Sequence, residues 1–339
     1  MPARENIIPV FVPHLGCPHD CVFCNQRRIS GVQEPATAET VHEAIKNAAA
    51  LGLGDVKRQL AFYGGSFTAI PAAQQEELLG AAKEYLDSGF LSSVRLSTRP
   101  DAIDDAVLDR LRRYGVETVE IGAQSLDDRV LKLSARGHTA ADVENASRMI
   151  KAAGFRLILQ MMTGLPGDTP ETSVRTAERI IAMKPDGVRV YPTVIVKDTA
   201  LYDFWLRGTY REHTVEDAVS VCARILPMFE AAGIPVIRLG LNPTDDLSGG
   251  DAAGGAYHPA LGELVKSRIM LQRAAALLEA AGAAPGGSAE IYVHPSRVSQ
   301  MTGQHRGNIE ALKERFGLES VKVKPDPGLD RDDIRTAAV

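Results

Sequence analysis

The chain has 339 residues, a formal net charge of −5, 45% hydrophobic and 24% charged residues, and four cysteines. That is the balance of a globular protein of one large domain plus a smaller one, or of two ordinary domains. It excludes a disulfide framework and a global electrostatic pull toward nucleic acid. The start, Met1 to Pro13, has no basic stretch followed by a long apolar core, so no secretory leader is expected. No apolar run approaches the ~18 residues of a membrane span. Clustered cysteines in so long a chain point to metal and to a reducing, cytoplasmic compartment.

The first expected element is a strand over 7–12. It runs into Cys17-Pro18-His19-Asp20-Cys21-Val22-Phe23-Cys24, a C-x3-C-x2-C spacing. Three thiolates on one short loop can hold three irons of a [4Fe–4S] cluster and leave the fourth open to a small ligand. A structural zinc site is the alternative. Zinc wants four ligands, and His14 or His19 could complete the set, since Cys222 lies far along the chain.

Downstream, strands are expected at 59–63, 94–98, 117–122, 156–162, 187–191 and 234–239. Helices are expected at 39–51, 72–87, 104–113, 139–153, 170–183 and 214–231. This alternation predicts a parallel sheet with helices outside it. In the last of these helices, Val215, Ala218, Val219, Cys222, Ile225 and Phe229 recur at helical spacing, which makes Cys222 a core thiol.

Each strand is followed by a polar or glycine-rich turn. These are Gly64-Gly65-Ser66-Phe67-Thr68, Ser97-Thr98-Arg99-Pro100-Asp101, Ala123-Gln124-Ser125, Thr163-Gly164-Leu165-Pro166-Gly167 and Tyr191-Pro192-Thr193. In a parallel α/β barrel the carboxyl ends of the strands converge on one mouth, where active sites are built. The fold class expected is therefore α/β, with a parallel sheet whose strand ends form one mouth. Arg99 with Asp101 also reads as a simple loop ion pair, His138 as a loop residue, and Tyr202 with Trp205 as packing on a short helix.

Taken together, the cysteine motif, Gly64-Gly65-Ser66-Phe67-Thr68-Ala69-Ile70-Pro71, Thr98-Arg99-Pro100-Asp101, Glu120-Ile121-Gly122-Ala123-Gln124-Ser125, Arg136-Gly137-His138-Thr139, Met161 to Pro166 and Pro185 to Thr193 resemble the radical S-adenosylmethionine (SAM) enzymes. Within that superfamily they resemble the radical SAM domain of the Elongator catalytic subunit and its bacterial relatives, over roughly residues 5–240. Two departures limit the likeness. The first cysteine interval here is the ordinary superfamily one, and residues beyond the barrel do not resemble an acetyltransferase, so acetyl-CoA chemistry is not carried over.

The resemblance implies a partial (β/α)6-type TIM barrel over residues 1–245, in which Cys17, Cys21 and Cys24 bind three irons and SAM chelates the fourth. It implies SAM contacts from Gly64, Gly65 and Ser66 at the methionine end, and from Phe23 beside the adenine. Gln124, Ser125 and Arg136 would meet ribose and carboxylate, and Gln160 and Leu165 the nucleoside. It also implies reductive cleavage of SAM to a 5′-deoxyadenosyl radical, with an electron donor such as a flavodoxin or ferredoxin.

After residue 245 a glycine-rich flexible segment and a long helix are expected over 246–287. A small β-α-α-β unit follows over 288–325, then a tail, 326–339. The turn Gly303-Gln304-His305-Arg306-Gly307 between the two short helices resembles the G-x-x-G loop of a KH RNA-binding module with one residue added. Between residues 289 and 324 there are six Lys/Arg against four Asp/Glu, a small basic excess, so the unit reads equally as a small α/β cap on the barrel. Two function classes stand. One is a radical SAM enzyme acting on RNA or tRNA, or on a small metabolite. The other is a zinc-binding RNA-binding module without radical chemistry, and metal identity separates them.

Overall fold

The computed structural model describes residues 5–12, 19–25, 34–52, 56–241 and 251–338. The chain divides into two compact units, Met1–Thr214 with Ile225–Tyr257, and Val215–Arg224 with His258–Val339. No helix among the described residues is long and apolar enough to cross a membrane.

The first unit is a curled half-barrel. Its strands are β1 (Glu5–Val12), β2 (Lys57–Gly64), β3 (Ser93–Thr98), β4 (Val116–Gln124), β5 (Arg156–Thr163), β6 (Gly187–Pro192), β7 (Val194–Val196), β8 (Val236–Leu239) and β9 (Ala252–Gly255). Seven of them form one sheet in the order β1-β2-β3-β4-β5-β6-β8, and every pairing in it is parallel. All seven expected strands are present. Helices 38–50, 72–87, 105–113, 140–152 and 170–183 make the crossovers. Their apolar stripes, including Leu78, Leu79, Leu111, Ile150 and Ile180, are fully buried, as amphipathic helices on a sheet require.

Local chemistry starts these helices where the sequence says. Thr139 and Thr169 each close a capping box with the third helical residue, and Asp104 accepts from Val107 N at 2.7 Å, satisfying amides that the helix leaves without partners.

Two features depart from expectation. A short helix, 128–133, follows β4. Part of the glycine-rich segment expected to be flexible forms β9, antiparallel to β7, with Val194 opposite Gly255. The glycines explain this, because they permit close pairing rather than freedom. A Cβ on Gly255, whose φ is +84°, would stand 2.7 Å from Thr193 O. Residues 242–250, which include Ser248, lie outside the described residues.

The second unit holds a three-stranded sheet in the order β11-β10-β12, formed by β10 (Ser288–Val293), β11 (Ser320–Pro325) and β12 (Ile334–Ala338). β10 and β11 are parallel and are connected through helices 298–302 and 307–316. The expected tail is in part a strand, because β12 pairs antiparallel with β10. The long helix 261–280 does not stand apart from this sheet. Its Met270, Ala274 and Leu278 share one core with Ile291, Val293, Met301, Ile309, Leu312 and Val321. In the turn, His305 and Arg306 take left-handed backbone with φ of 49° and 64°. Asn308 closes it by donating to Ser267 O and Gln300 O.

Candidate active site

Cys21 and Cys24 lie just beyond β1, on a segment fastened mainly by its backbone. Val22 N donates to Ser134 O at 3.1 Å, Leu201 N donates to Val22 O at 2.7 Å, and Cys24 N donates to Cys21 O at 3.0 Å. The Val22 side chain is buried against Ile195, Leu201 and Tyr210, with Phe23, Tyr202 and Trp205 packed on the same cluster. Tyr202 and Trp205 are thus packing residues that hold the cysteine segment down. Cys17, like His14, lies outside the described residues. Cys222 is fully buried in its helix.

Seven of the nine residues expected around SAM line a single cavity of about 120 Å³ with Cys21 and Cys24: Phe23, Gly64, Gly65, Ser66, Gln124, Arg136 and Gln160. They come from four different strand ends, which is what a barrel mouth accomplishes. Ser125 and Leu165 do not line it. Ser125 is buried and its Oγ accepts from Asp127 N at 3.1 Å, turning the chain into helix 128–133. Leu165 is 2% exposed and is a core residue.

Gly64 has φ of +100°, and a Cβ there would stand 2.8 Å from Val12 O. The neighbouring Gly65 N donates to that same oxygen at 2.7 Å. Lack of side chain therefore lets β2 end tightly against β1, the close backbone approach for which glycine is suited. Ser66 is 2% exposed. Its Oγ accepts from Arg99 N at 3.0 Å and meets Thr98 Oγ1 at 3.0 Å, so it fixes two strand ends together.

Arg136 spans the cavity wall. Its Nη1 donates to Cys21 Sγ at 3.3 Å and its Nη2 to Gly122 O at 2.9 Å. Its own carbonyl accepts from Arg99 Nη2 at 2.7 Å. Arg99 is the largest fully buried side chain among the described residues and is clamped on Asp101 through Nε at 2.9 Å and Nη2 at 3.1 Å, the expected loop ion pair. His138 is buried, with Nε2 3.3 Å from Ala123 O. Burial, then the Arg136 cation, push its pKa down to about 4, so the imidazole is neutral at pH 7.

Whether a polar cofactor fits is answered by atoms left over. Arg136 Nε, Arg99 Nη1 and Gln124 Oε1 are buried with no hydrogen-bond partner, and all three side chains line this cavity. Such orphans are rare in folded proteins and call for a partner. Gln124 also holds φ of +63°, a conformation a non-glycine residue keeps only where its surroundings demand it. Two thiols, orphaned donors and an orphaned acceptor suit a thiolate-ligated cluster with a charged, polar organic molecule beside it. Among the described residues no group of three His, Cys, Asp or Glu is placed to hold a metal; Cys21 and Cys24 are two of the motif's three thiols.

A buried polar network, which the motifs did not reveal, continues from the cavity along the same face of the sheet. Glu120, fully buried, accepts from Arg95 Nη1 at 3.0 Å, Arg189 Nε at 2.8 Å, Tyr63 Oη at 3.2 Å and Gln160 Nε2 at 3.0 Å. Gln160 also donates to Ser97 Oγ at 2.9 Å and so joins this network to the cavity wall. Burial, then the Glu120 carboxylate, push the Tyr63 phenol up to about 12. Burial works against the charge of Arg189, but Glu120 and the two tyrosines outweigh it and the guanidinium pKa is raised. Burial also raises that of Tyr191. On β8, Arg238 stands opposite Arg189 in register and donates to Gly240 O at 3.0 Å. A signal was available: Arg95 and Arg189 are lone charges in their strands and Glu120 is a charge in the middle of β4, each at an alternate position facing one way.

A half-barrel carrying thiols and unsatisfied polar groups at its strand ends defines an enzyme of the TIM-barrel type built around a metal centre and an organic cofactor. The model of the radical SAM superfamily matches residues 11–180, and that of the radical SAM C-terminal domain matches residues 185–270. The chain belongs to the radical SAM superfamily, and its cofactors are the [4Fe–4S] cluster and SAM.

Similar proteins include Elongator complex protein 3 of Schizosaccharomyces pombe, 29% identical over 210 residues, 56% of this chain and 39% of that protein. The tRNA uridine(34) acetyltransferase of Methanocaldococcus infernus is 24% identical over 256 residues, 63% of this chain and 48% of that one. The chain thus spans less than half of either relative. Among solved structures, the archaeal Methanocaldococcus infernus Elp3 with an N-terminal deletion superposes with a TM-score of 0.63 at 22% identity, covering 80% of this chain and 64% of that one. The radical SAM enzyme coproporphyrinogen III oxidase of Escherichia coli shares the fold with a TM-score of 0.50 at 20% identity, covering 68% and 53%.

Proposed function

We propose that this protein is a radical SAM enzyme that modifies RNA, with tRNA as the substrate class. The observation that carries the reading is the charge on the face leading into the cavity. Next to the cavity, Arg95, Arg189 and Arg238 share that face with the carboxylate of Glu120, which among the described residues engages only the first two. Arg238 is left with a carbonyl as its partner among the described residues. A surplus of guanidinium groups beside a reaction site suits a phosphate-bearing substrate, because the planar fork matches phosphate oxygens. The relative named as a tRNA uridine(34) acetyltransferase supports the same class.

In this reading Cys17, Cys21 and Cys24 ligate the cluster, and Phe23, Gln124, Arg136 and Gln160 surround SAM. When bound, these groups supply a 5′-deoxyadenosyl radical that removes a substrate hydrogen, with an electron delivered by a flavodoxin or ferredoxin. The protein's own residues orient and exclude. Gly64 and Gly65 keep the β1–β2 junction closed, and Ser66 with Thr98 locks the β2 and β3 ends. Glu120 holds Gln160 so that its Nε2 is engaged and its Oε1 is left to accept from a ligand. Cytoplasmic operation, and a contribution from the exposed Gln304–Arg306 turn to RNA binding, belong to the same proposal.

The test is 5′-deoxyadenosine formation by anaerobically reconstituted protein with SAM and reductant, with and without unmodified tRNA. Stimulation by tRNA, with deuterium from labelled uridine appearing in 5′-deoxyadenosine, is expected. Equal formation with and without tRNA, alongside stimulation by a small anionic metabolite, overturns the RNA reading and leaves the radical chemistry standing.

A further inference from the structure

We propose that Arg136 is a positioning residue for the iron–sulfur cluster: its guanidinium covers the Cys21 sulfur and sets how readily the cluster accepts an electron. This rests on the reading that Cys21 ligates the cluster, and it differs from the SAM contact that the family resemblance implies for the same residue.

Four observations carry it. Nη1 donates to Cys21 Sγ at 3.3 Å, a hydrogen bond of ordinary length for sulfur. The residue is 8% exposed, so water screens its charge poorly. No carboxylate pairs with it among the described residues, whereas buried cations ordinarily find an anion. The anion within its reach is the Cys21 thiolate. Finally, the guanidinium is held from behind, because Nη2 donates to Gly122 O at 2.9 Å and the Arg136 carbonyl accepts from Arg99 at 2.7 Å.

The physical consequence has a definite sign. Taking up one electron adds one negative charge to the cluster and its thiolates, with no bond made or broken. A fixed cation donating an N–H to a ligating sulfur stabilises the reduced state more than the oxidised one. Arg136 therefore raises the reduction potential. A residue serving only the SAM carboxylate would change SAM affinity and leave the potential measured without SAM where it was.

The experiment uses the full chain, reconstituted anaerobically, in three forms: wild type, Arg136→Lys and Arg136→Gln. Redox titration without SAM, followed by EPR, gives the midpoint, and equilibrium dialysis with SAM gives the affinity. The expected order of midpoints is wild type above Lys above Gln, at equal iron per protein. In resonance Raman, an Fe–S(Cys) stretch of the wild type should shift in D2O, and that shift should be lost in Arg136→Gln. Equal midpoints in all three forms overturn the proposal, whether or not SAM binding weakens. Should Arg136→Gln fail to fold, Arg136→Lys decides alone, an unchanged midpoint again overturning it. Failure of the underlying reading looks different: the wild type itself would then carry no iron–sulfur absorption.

Discussion

Gly122 and Arg136 are fitted to one another. The Gly122 carbonyl accepts from Arg136 Nη2 at 2.9 Å, and a Cβ on Gly122 would stand 2.8 Å from that same nitrogen and 3.0 Å from Gln124 Nε2. Both atoms belong to side chains rather than backbone, so a methyl group here displaces two held cavity-lining groups, straining the Arg136–Gly122 hydrogen bond without breaking the backbone. Gly122→Ala should fold, with stability lowered by about 1–3 kcal/mol, as for other added bulk in a filled site. It should nevertheless bind SAM several-fold more weakly. Unchanged SAM affinity in the folded variant would show that neither side chain meets the cofactor.

The cysteines separate by their surroundings. Cys21 and Cys24 line the cavity, whereas Cys222 is fully buried in a helix. Replacing Cys17, Cys21 or Cys24 by Ala should abolish SAM cleavage and strip most cluster iron, and Cys222→Ala should leave iron content as it was. Iron and sulfide analysis of anaerobically purified variants checks this. Full iron loading in the triple variant would refute cluster binding by the motif.

Glu120 is the anion that makes two buried arginines tolerable. Glu120→Gln keeps the shape but leaves Arg95 and Arg189 without a counter-charge, a loss expected to cost about 3–5 kcal/mol. Urea denaturation of the cluster-free protein measures it. Adding Arg189→Met should recover part of the loss, because one of the stranded cations goes with it.

His138 gives the fold a pH dependence of known sign. Its pKa is lowered from 6.5 to about 4 in the folded state by burial and by Arg136, with Arg99 acting in the same direction and Asp101 and the Ala123 carbonyl against it. The unfolded chain therefore binds this proton first. Stability is intact above pH 6.5, falls as pH drops toward 4 and loses no more from this group below that. The full effect is about 3 kcal/mol. Denaturation midpoints of the cluster-free protein across this range should fall less steeply for His138→Gln than for wild type. Parallel curves would mean that His138 takes up its proton in the folded state as easily as in water.

Much of the fold is readable in the sequence. Strand and helix periodicities differ, so seven parallel strands and their crossover helices could be placed to within a few residues. Threonine and aspartate caps marked helix starts for a local reason. Part of the glycine-rich segment, Ala252–Gly255, is a strand for an equally physical reason. Gly254 and Gly255 look like freedom in one dimension, but in three they are the room β9 needs to approach β7. The strand at 334–338 carried too little alternation to stand out, and it exists because β10 offered an edge.

For the site, short-range chemistry was in the sequence: three thiols on one loop, and polar residues after each strand. Those patterns are written in consecutive residues. What only the tertiary structure decided is which of them meet. It brought Cys21 to Arg136 and Gln160 to Glu120, and it left Ser125 and Leu165 behind the wall. Partners 115 and 40 residues apart are chosen by strand order, register and the curl of the sheet. A carboxylate such as Glu120 can be recognised as necessary only once the two guanidinium groups it neutralises are seen buried beside it, because the cost of burying charge depends on neighbours in space and not in sequence.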